Sequence, residues 1–170
     1  MNGLAIDLKS SEFMLLAKAG DFRGAHKSLA RLAKDTSMTP ASLAGWQSHL
    51  HQLEGNVEEA ARILASHISI DDIPGQFLRH QRARLLLWNG RLDEARADLE
   101  ALLCDERPRI AALHSGCRVQ LAYIFAVQGD PEFSAVFEAI PDGRDYFIKE
   151  SIVGKEDLYA LYQANAAKSR

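Results

Sequence analysis

The chain has 170 residues, 47% of them hydrophobic and 25% charged, so it is long enough to bury the core of a single domain. Its formal net charge of -3 lacks the excess of lysine and arginine that phosphate binding needs, which argues against a nucleic-acid partner. No apolar run approaches the roughly 18–20 residues that span a bilayer, and the N-terminus lacks the pattern of a secretory signal. We therefore expect a cytoplasmic protein without membrane insertion.

The predicted elements are helices that meet at regularly spaced glycines. Gly20, Gly55 and Gly90 stand 35 residues apart, and Gly129 follows after 39 residues. An apolar-periodic stretch lies on each side of every glycine, which is typical of a stacked helical-hairpin repeat. The sequence predicts four hairpins and a C-terminal cap region, over residues 10–35, 39–69, 75–104, 108–140 and 141–170 respectively.

The second hairpin carries the clearest start signal. Thr39 can cap a helix, and Pro40 suits the first helical position because its missing N–H has no intrahelical partner there. We expect this helix to run to about Glu54. After Gly55, acidic residues in the first turn of the next helix complement the helix dipole, and its apolar face continues to about Ile68.

The fourth hairpin and the tail are less regular. One long helix is expected from Pro108 to Gln128, followed by a short one from Pro131 to Ile140. Beyond the break at Pro141, a short helix is expected from Tyr146 to Ile152. A last amphipathic helix follows Gly154, and its apolar stripe should seal the open end of the array. This stripe contains Leu158, Leu161 and Tyr162.

Side chains that could carry chemistry are few. Cys104 and Cys117 are interpreted as buried free thiols rather than a disulfide. His114 and Cys117 have the i, i+3 spacing of a metal pair, but no further ligands are near, so no metal site is expected. The sequence contains no nucleophile elbow, glycine-rich phosphate loop or His-Glu-x-x-His motif. We therefore expect a protein that is not an enzyme and needs no cofactor.

The hairpins share a pattern around each turn glycine. A small residue lies seven positions before it, an apolar residue two after it and an alanine five after it, so that two helices can approach closely. These positions hold Ala83 and Ala122, then Phe22, Val57 and Leu92, and then Ala25, Ala60 and Ala95. Over about residues 10–140 the chain thereby resembles the tetratricopeptide repeat. The resemblance implies an all-α fold, a right-handed α-solenoid of about four antiparallel hairpins with a C-terminal capping helix.

Tetratricopeptide arrays bind peptides or helices on a concave surface that the first helix of each hairpin provides. The resemblance therefore implies a non-catalytic protein–protein interaction module, an adaptor or scaffold, that is a monomer or weak homodimer. By position, it implies a partner-binding groove that combines apolar anchors with polar groups. The groove residues are His49, Gln52, Phe77, His80, Arg84, Leu87 and Tyr123. Phe77 and Leu87 fit a core position equally well.

Two alternatives to an adaptor remain open, together with a further hypothesis about the C-terminal helix. Small bacterial secretion chaperones of the tetratricopeptide type have a similar size and an acidic pI, so the chain is alternatively a cytoplasmic chaperone for a secreted or self-assembling subunit. An apolar, dimer-forming N-terminal helix would favour that role. The sequence is compatible with such a helix, and equally with an N-terminal cap, through Phe13, Leu15 and Leu16 with Leu4 and Ile6 ahead of them. A regulatory sensor of a small peptide is another alternative. Finally, the helix after Gly154 could occupy the groove until a partner displaces it.

Overall fold

The structure is a computed structural model that describes residues 12–35, 38–143, 145–148 and 151–168. It is mostly helical, in agreement with the all-α prediction. The chain divides into two compact units, residues 1–85 and 86–170. Within the described ranges, no helix is both long enough and apolar enough to cross a bilayer.

The first unit is built from consecutive helices that pack around an apolar core. Helix α2 packs against α3, and α3 packs against α4. The core contains Phe13, Ala17, Ala25, Leu29, Leu32 and Leu50, all nearly inaccessible to solvent. The helices are α1 (residues 12–18), α2 (Phe22–Leu32), α3 (Pro40–Leu53), α4 (Val57–Ala65) and α5 (Ile73–Trp88), of which residues 73–85 belong to this unit.

The turns inside the hairpins explain the repeated Gly-Asp and Gly-Asn pairs. Gly20 and Gly55 have φ angles of +80° and +78°, a region that a residue with a Cβ adopts only with strain. The next residue then caps the following helix: Asp21 accepts a hydrogen bond from the Gly24 N–H, and Asn56 accepts one from the Glu59 N–H. One residue pair therefore ends one helix and begins the next, as the spacing predicted.

The alanines of the repeated pattern are fully buried. Ala25, Ala60 and Ala95 are all 0% exposed. Thr39 also caps α3 as expected, because its side-chain oxygen accepts a hydrogen bond from the Ser42 N–H. These positions of the sequence pattern are therefore confirmed, whereas solenoid handedness and the number of repeats stay predictions.

The second unit is arranged around one central helix. Helix α8 packs against α6, α9 and α10, and also touches the first strand of a two-stranded antiparallel sheet. The elements after α5 are α6 (Leu92–Leu103), α7 (Pro108–Ala111), α8 (His114–Gln128), α9 (Phe133–Glu138), β1 (Tyr146–Ile148), β2 (Ser151–Val153) and α10 (Lys155–Ala166).

Two helix predictions for this unit were wrong. The expected helix from Pro108 to Gln128 is broken at Ala112 and Leu113, where a tight turn lets Leu113 N–H bond to Ile110 O at 2.8 Å. After this turn, the His114 ring lies against α6, with Nε2 3.0 Å from the carbonyl oxygens of Leu102 and Asp105. The break therefore redirects the chain so that α8 begins with a ring anchored on α6.

The expected helix from Tyr146 to Ile152 is instead the β1–β2 hairpin. Tyr146 pairs with Val153, and Ile148 pairs with Ser151. Ile148 is buried while Ile152 is 71% exposed. Aromatic and β-branched residues favour such a half-buried pleated surface over a helix, and a run this short does not reveal its period.

Helix α10 covers the apolar side of α8 and α9. Leu158 is 0% exposed, and the Tyr162 ring stacks on Phe133 with centroids 4.4 Å apart. The Asn165 side chain donates a hydrogen bond to Ala126 O at 3.1 Å. These contacts are those expected of a helix that seals an otherwise open apolar face.

Candidate functional site

The predicted groove residues of the first unit lie on α3 and α5. His49 and Gln52 are partly buried on α3, and their side chains are hydrogen-bonded to each other. Helix α5 approaches α3 at Gly45, where an added Cβ would lie 3.1 Å from Gln81 Oε1. Phe77, on α5, is 40% exposed, which is uncommon for a large apolar side chain.

His80 lies between Phe77 and Arg84 on one face of α5, at the i, i+3, i+7 spacing of that helix. Its Nε2 is buried and has no hydrogen-bond partner among the described residues. Burial, helped by the Arg84 charge, lowers the pKa of His80 to about 4. The ring is therefore neutral at neutral pH, and one of its nitrogens carries an unsatisfied hydrogen-bonding capacity.

Burial also acts on the imidazole of His49 on α3. It lowers the pKa of His49, with a smaller contribution from the Lys18 charge, while a hydrogen bond that the ring donates to the Gln52 side chain opposes the change. The predicted groove residues of this unit thus include two imidazoles that stay neutral at neutral pH. A neutral imidazole offers one donor and one acceptor, which suits the binding of backbone amides.

Leu87, a predicted groove residue, is buried in the structure. Its side chain is 1% exposed and belongs to the core, because Leu85, Leu86 and Leu87 are all buried at the end of α5. A partner cannot reach it there. The register predicted a surface position, but Leu87 lies on the buried side of this helix end.

Tyr123 lies on α8 in the second unit and is partly buried. Val119 and Ala126, which share its register on α8, are buried. Tyr123 therefore belongs to a different unit from the other predicted groove residues on α3 and on residues 73–85 of α5, and a continuous groove that includes it stays a prediction.

A cluster that sequence reasoning missed lies in the first unit. His26 on α2 meets His51 and Glu54 at the end of α3. His26 Nε2 is 2.8 Å from Glu54 Oε1, and His51 Nδ1 is 2.9 Å from Glu54 Oε2. The two imidazole centroids are 5.4 Å apart. One ligand atom from each of the three residues lies within 4.8 Å of the other two, a spacing that a metal ion could bridge.

Part of this cluster had a signal in the sequence. His51 and Glu54 have the same i, i+3 spacing as His114 and Cys117, so they share a helix face. The third member, His26, is 28 residues away from Glu54 and joins them only because α2 packs against α3. A single sequence does not reveal such a contact.

A cavity of about 500 Å³ opens beside the cluster, between α2, α3 and α4. Glu59 lies in its wall and forms two hydrogen bonds with the Arg62 guanidinium, of 2.7 and 2.5 Å. This pairing lowers the pKa of Glu59 and holds it ionised. The cavity is lined by His26, Leu29, Gln47, His51, Glu59 and Arg62, among others.

The other thiol and imidazole groups are structural or isolated. His114 contacts two carbonyl oxygens of the chain, as described above, and Cys117 is buried as predicted. Burial raises the pKa of the Cys117 thiol to about 12, which makes it a poor metal ligand or nucleophile. Cys104, in contrast to the prediction, is exposed because it follows the last residue of α6.

Comparisons with known proteins do not identify this chain. No protein-family model matches it, and searches of curated proteins and of solved structures give no match either. The function must therefore be inferred from the chain's own residues and their geometry.

Proposed function

We propose that this chain is a non-catalytic protein-interaction module that binds a peptide or helix of a partner protein, as an adaptor or scaffold. The observation that supports this best is the surface of α5 in the first unit. It presents Phe77, 40% exposed, next to His80, whose buried Nε2 has no hydrogen-bond partner in the described ranges. An exposed aromatic anchor with polar groups beside it is a common composition of a protein-binding surface.

The repeat pattern supports the finer architecture that belongs to this proposal. Gly20, Gly55, Gly90 and Gly129 all have positive φ angles, from +67° to +80°, and each ends a helix. We propose that the hairpins form a right-handed, tetratricopeptide-like solenoid. In such an array the first helices of successive hairpins line one surface, so α3 and α5 would present their predicted groove residues together.

The chemistry of the surface indicates what kind of partner it suits. Leaving the buried nitrogen of His80 without a hydrogen bond costs free energy, about 1–3 kcal/mol for a typical buried polar group. A backbone N–H or C=O, or a side-chain hydroxyl, from a partner would remove that cost once the His80 ring turned outward to meet it. Phe77 would gain by burial against an apolar side chain of the same partner.

The chaperone alternative has one observation in its favour. Leu15 on α1 is 69% exposed, although α1 also contributes Phe13 to the core. An exposed leucine on a terminal helix is compatible with self-association of the chain. Leu4 and Ile6, which precede α1 in the sequence, lie outside the described residues. A dimer that Leu15→Glu dissociates would favour the chaperone.

A direct test begins with a displayed library of random peptides selected on the purified chain. Affinities of the selected peptides are then measured by calorimetry for the parent, for Phe77→Ala and for His80→Phe. We expect each substitution to weaken binding about tenfold or more, as the loss of a central anchor does. Phe77 is exposed, so Phe77→Ala should leave the helical circular dichroism unchanged.

Tyr159→Ala is the matched control, because Tyr159 is an aromatic residue on α10 that is 48% exposed. It should leave peptide affinity unchanged. The proposal fails if the selected peptides bind the Phe77 and His80 variants as tightly as they bind the parent.

A further inference from the structure

We propose that His26, His51 and Glu54 form a binding site for a divalent transition-metal ion, with Zn²⁺ as the ion that fits best. Two imidazole nitrogens and one carboxylate oxygen are a common zinc donor set, whereas Mg²⁺ and Ca²⁺ prefer oxygen ligands alone. This site goes beyond the proposed peptide binding and does not depend on it. It also departs from the expectation that the chain holds no metal.

The distances are close to those that a tetrahedral ion requires. Zinc bonds of about 2.0–2.2 Å place neighbouring ligand atoms about 3.3 Å apart. Here His26 Nε2 lies 2.8 Å from Glu54 Oε1 and His51 Nδ1 lies 2.9 Å from Glu54 Oε2, and one ligand atom from each residue lies within 4.8 Å of the other two. Entry of the ion would therefore widen these two nitrogen–oxygen contacts slightly.

His51 provides the most specific observation. Its Nδ1 is buried and lies 2.9 Å from Glu54 Oε2, close enough for an ion pair. The atoms are nevertheless misaligned for a hydrogen bond, so Nδ1 has no hydrogen-bond partner among the described residues. Because a hydrogen bond weakens steeply with misalignment, the short distance alone does not satisfy this nitrogen. A metal ion bound between the three residues would satisfy this nitrogen.

The end of α3 also favours a cation electrostatically. His51 lies in the last turn of this helix, and Glu54 is its C-cap residue. The aligned peptide dipoles give a helix C-terminus a partial negative charge, which stabilises a positive ion nearby. Arg62, the nearest cation in the cavity wall, has its charge paired with Glu59.

The site would have three protein ligands and one open coordination position. Glu59 lines the adjoining cavity but is held by Arg62, which leaves the fourth position to water or to a ligand atom from a bound partner. In the metal-free state His26 Nε2 and Glu54 Oε1 are hydrogen-bonded. Any proton on a coordinating nitrogen must leave to solvent when the metal binds, so affinity should fall as the pH falls.

The test uses the untagged full chain, freed of metal with a chelator. Zn²⁺ binding is measured by calorimetry in two buffers of different ionisation enthalpy, which also counts the protons released. Co²⁺ titration gives the coordination geometry from its visible absorption. We expect one ion per chain and, at a Zn²⁺ concentration about 100-fold above the dissociation constant, an increase in melting temperature of about 5–10 °C.

His26→Ala and Glu54→Gln should each weaken binding about tenfold or more, and both are expected to fold because their side chains lie at or near the surface. His67→Ala is the matched control, since His67 is exposed at the end of α4 and outside the cluster. It should leave binding unchanged. The proposal is overturned if the parent binds no Zn²⁺, if His67→Ala weakens binding as much as His26→Ala does, or if Glu54→Gln binds as tightly as the parent.

Discussion

The two units of this chain differ in their histidine and tyrosine content. Before residue 86 the chain has five of its six histidines, and after it all four tyrosines. The histidines are His26, His49, His51, His67 and His80, and the tyrosines are Tyr123, Tyr146, Tyr159 and Tyr162. In the second unit the aromatic rings close the end of the helical packing. In the first unit the imidazoles of His51 and His80 each have a buried nitrogen without a hydrogen-bond partner among the described residues, which fits the proposed peptide and metal binding.

The aromatic stack of the second unit should show the largest effect on stability. Phe133 is 1% exposed and stacks on Tyr162 and Phe137, with centroids 4.4 and 5.0 Å away. Phe133→Ala should lower the free energy of unfolding by about 3–5 kcal/mol, because it leaves a cavity under α10. Urea unfolding followed by circular dichroism measures the loss. Tyr159→Ala, at a ring that is 48% exposed, should cost less than about 1 kcal/mol.

Two turn glycines, one in each unit, allow a comparison of the stability lost when alanine replaces glycine. Gly55 and Gly129 have φ angles of +78° and +67°, so alanine is strained at both. A Cβ at Gly55 would meet nothing within 4 Å, whereas one at Gly129 would lie 3.1 Å from the backbone nitrogen of Ala166. We expect Gly55→Ala to cost about 1–2 kcal/mol and Gly129→Ala about 2–4 kcal/mol, because α10 must shift. Equal losses in urea unfolding would mean that α10 does not pack as described.

The first unit should respond to pH through His80. Its folded-state pKa of about 4 lies below the ordinary 6.5, so the unfolded chain takes up the proton first as the pH falls. The free energy of unfolding should therefore decrease between pH 6.5 and pH 4, with His80 contributing on the order of 2–3 kcal/mol. His80→Gln should flatten this dependence, while His67→Gln should not. An unchanged pH profile in His80→Gln would contradict the buried, neutral ring.

These comparisons also show what a single sequence contains. The glycine spacing predicted the turns, and the residues after Gly20 and Gly55 cap the next helices as their chemistry requires. The break at Ala112 was not predicted because no proline or glycine marks it, and it depends on a contact of His114 with the preceding helix. The periodicity of a sequence indicates only local structure. Both the break and the His26–His51–Glu54 cluster depend on contacts between helices, so periodicity could not predict them.

The smallest effect on stability is expected at the cluster itself. The side chains of His26, His51 and Glu54 are 45%, 22% and 22% exposed, and partly exposed ion pairs contribute only about 0–1 kcal/mol. In metal-free protein Glu54→Gln should therefore lower the free energy of unfolding by about 1 kcal/mol or less, since the amide oxygen still accepts one hydrogen bond. Urea unfolding in the presence of a chelator measures this change, and a loss above about 2 kcal/mol would contradict it. A small loss of stability, together with Zn²⁺ binding that is weakened about tenfold or more, would separate the role of the cluster in folding from its role in binding. The three polar side chains would then add little to the stability of the fold and be held together for a ligand.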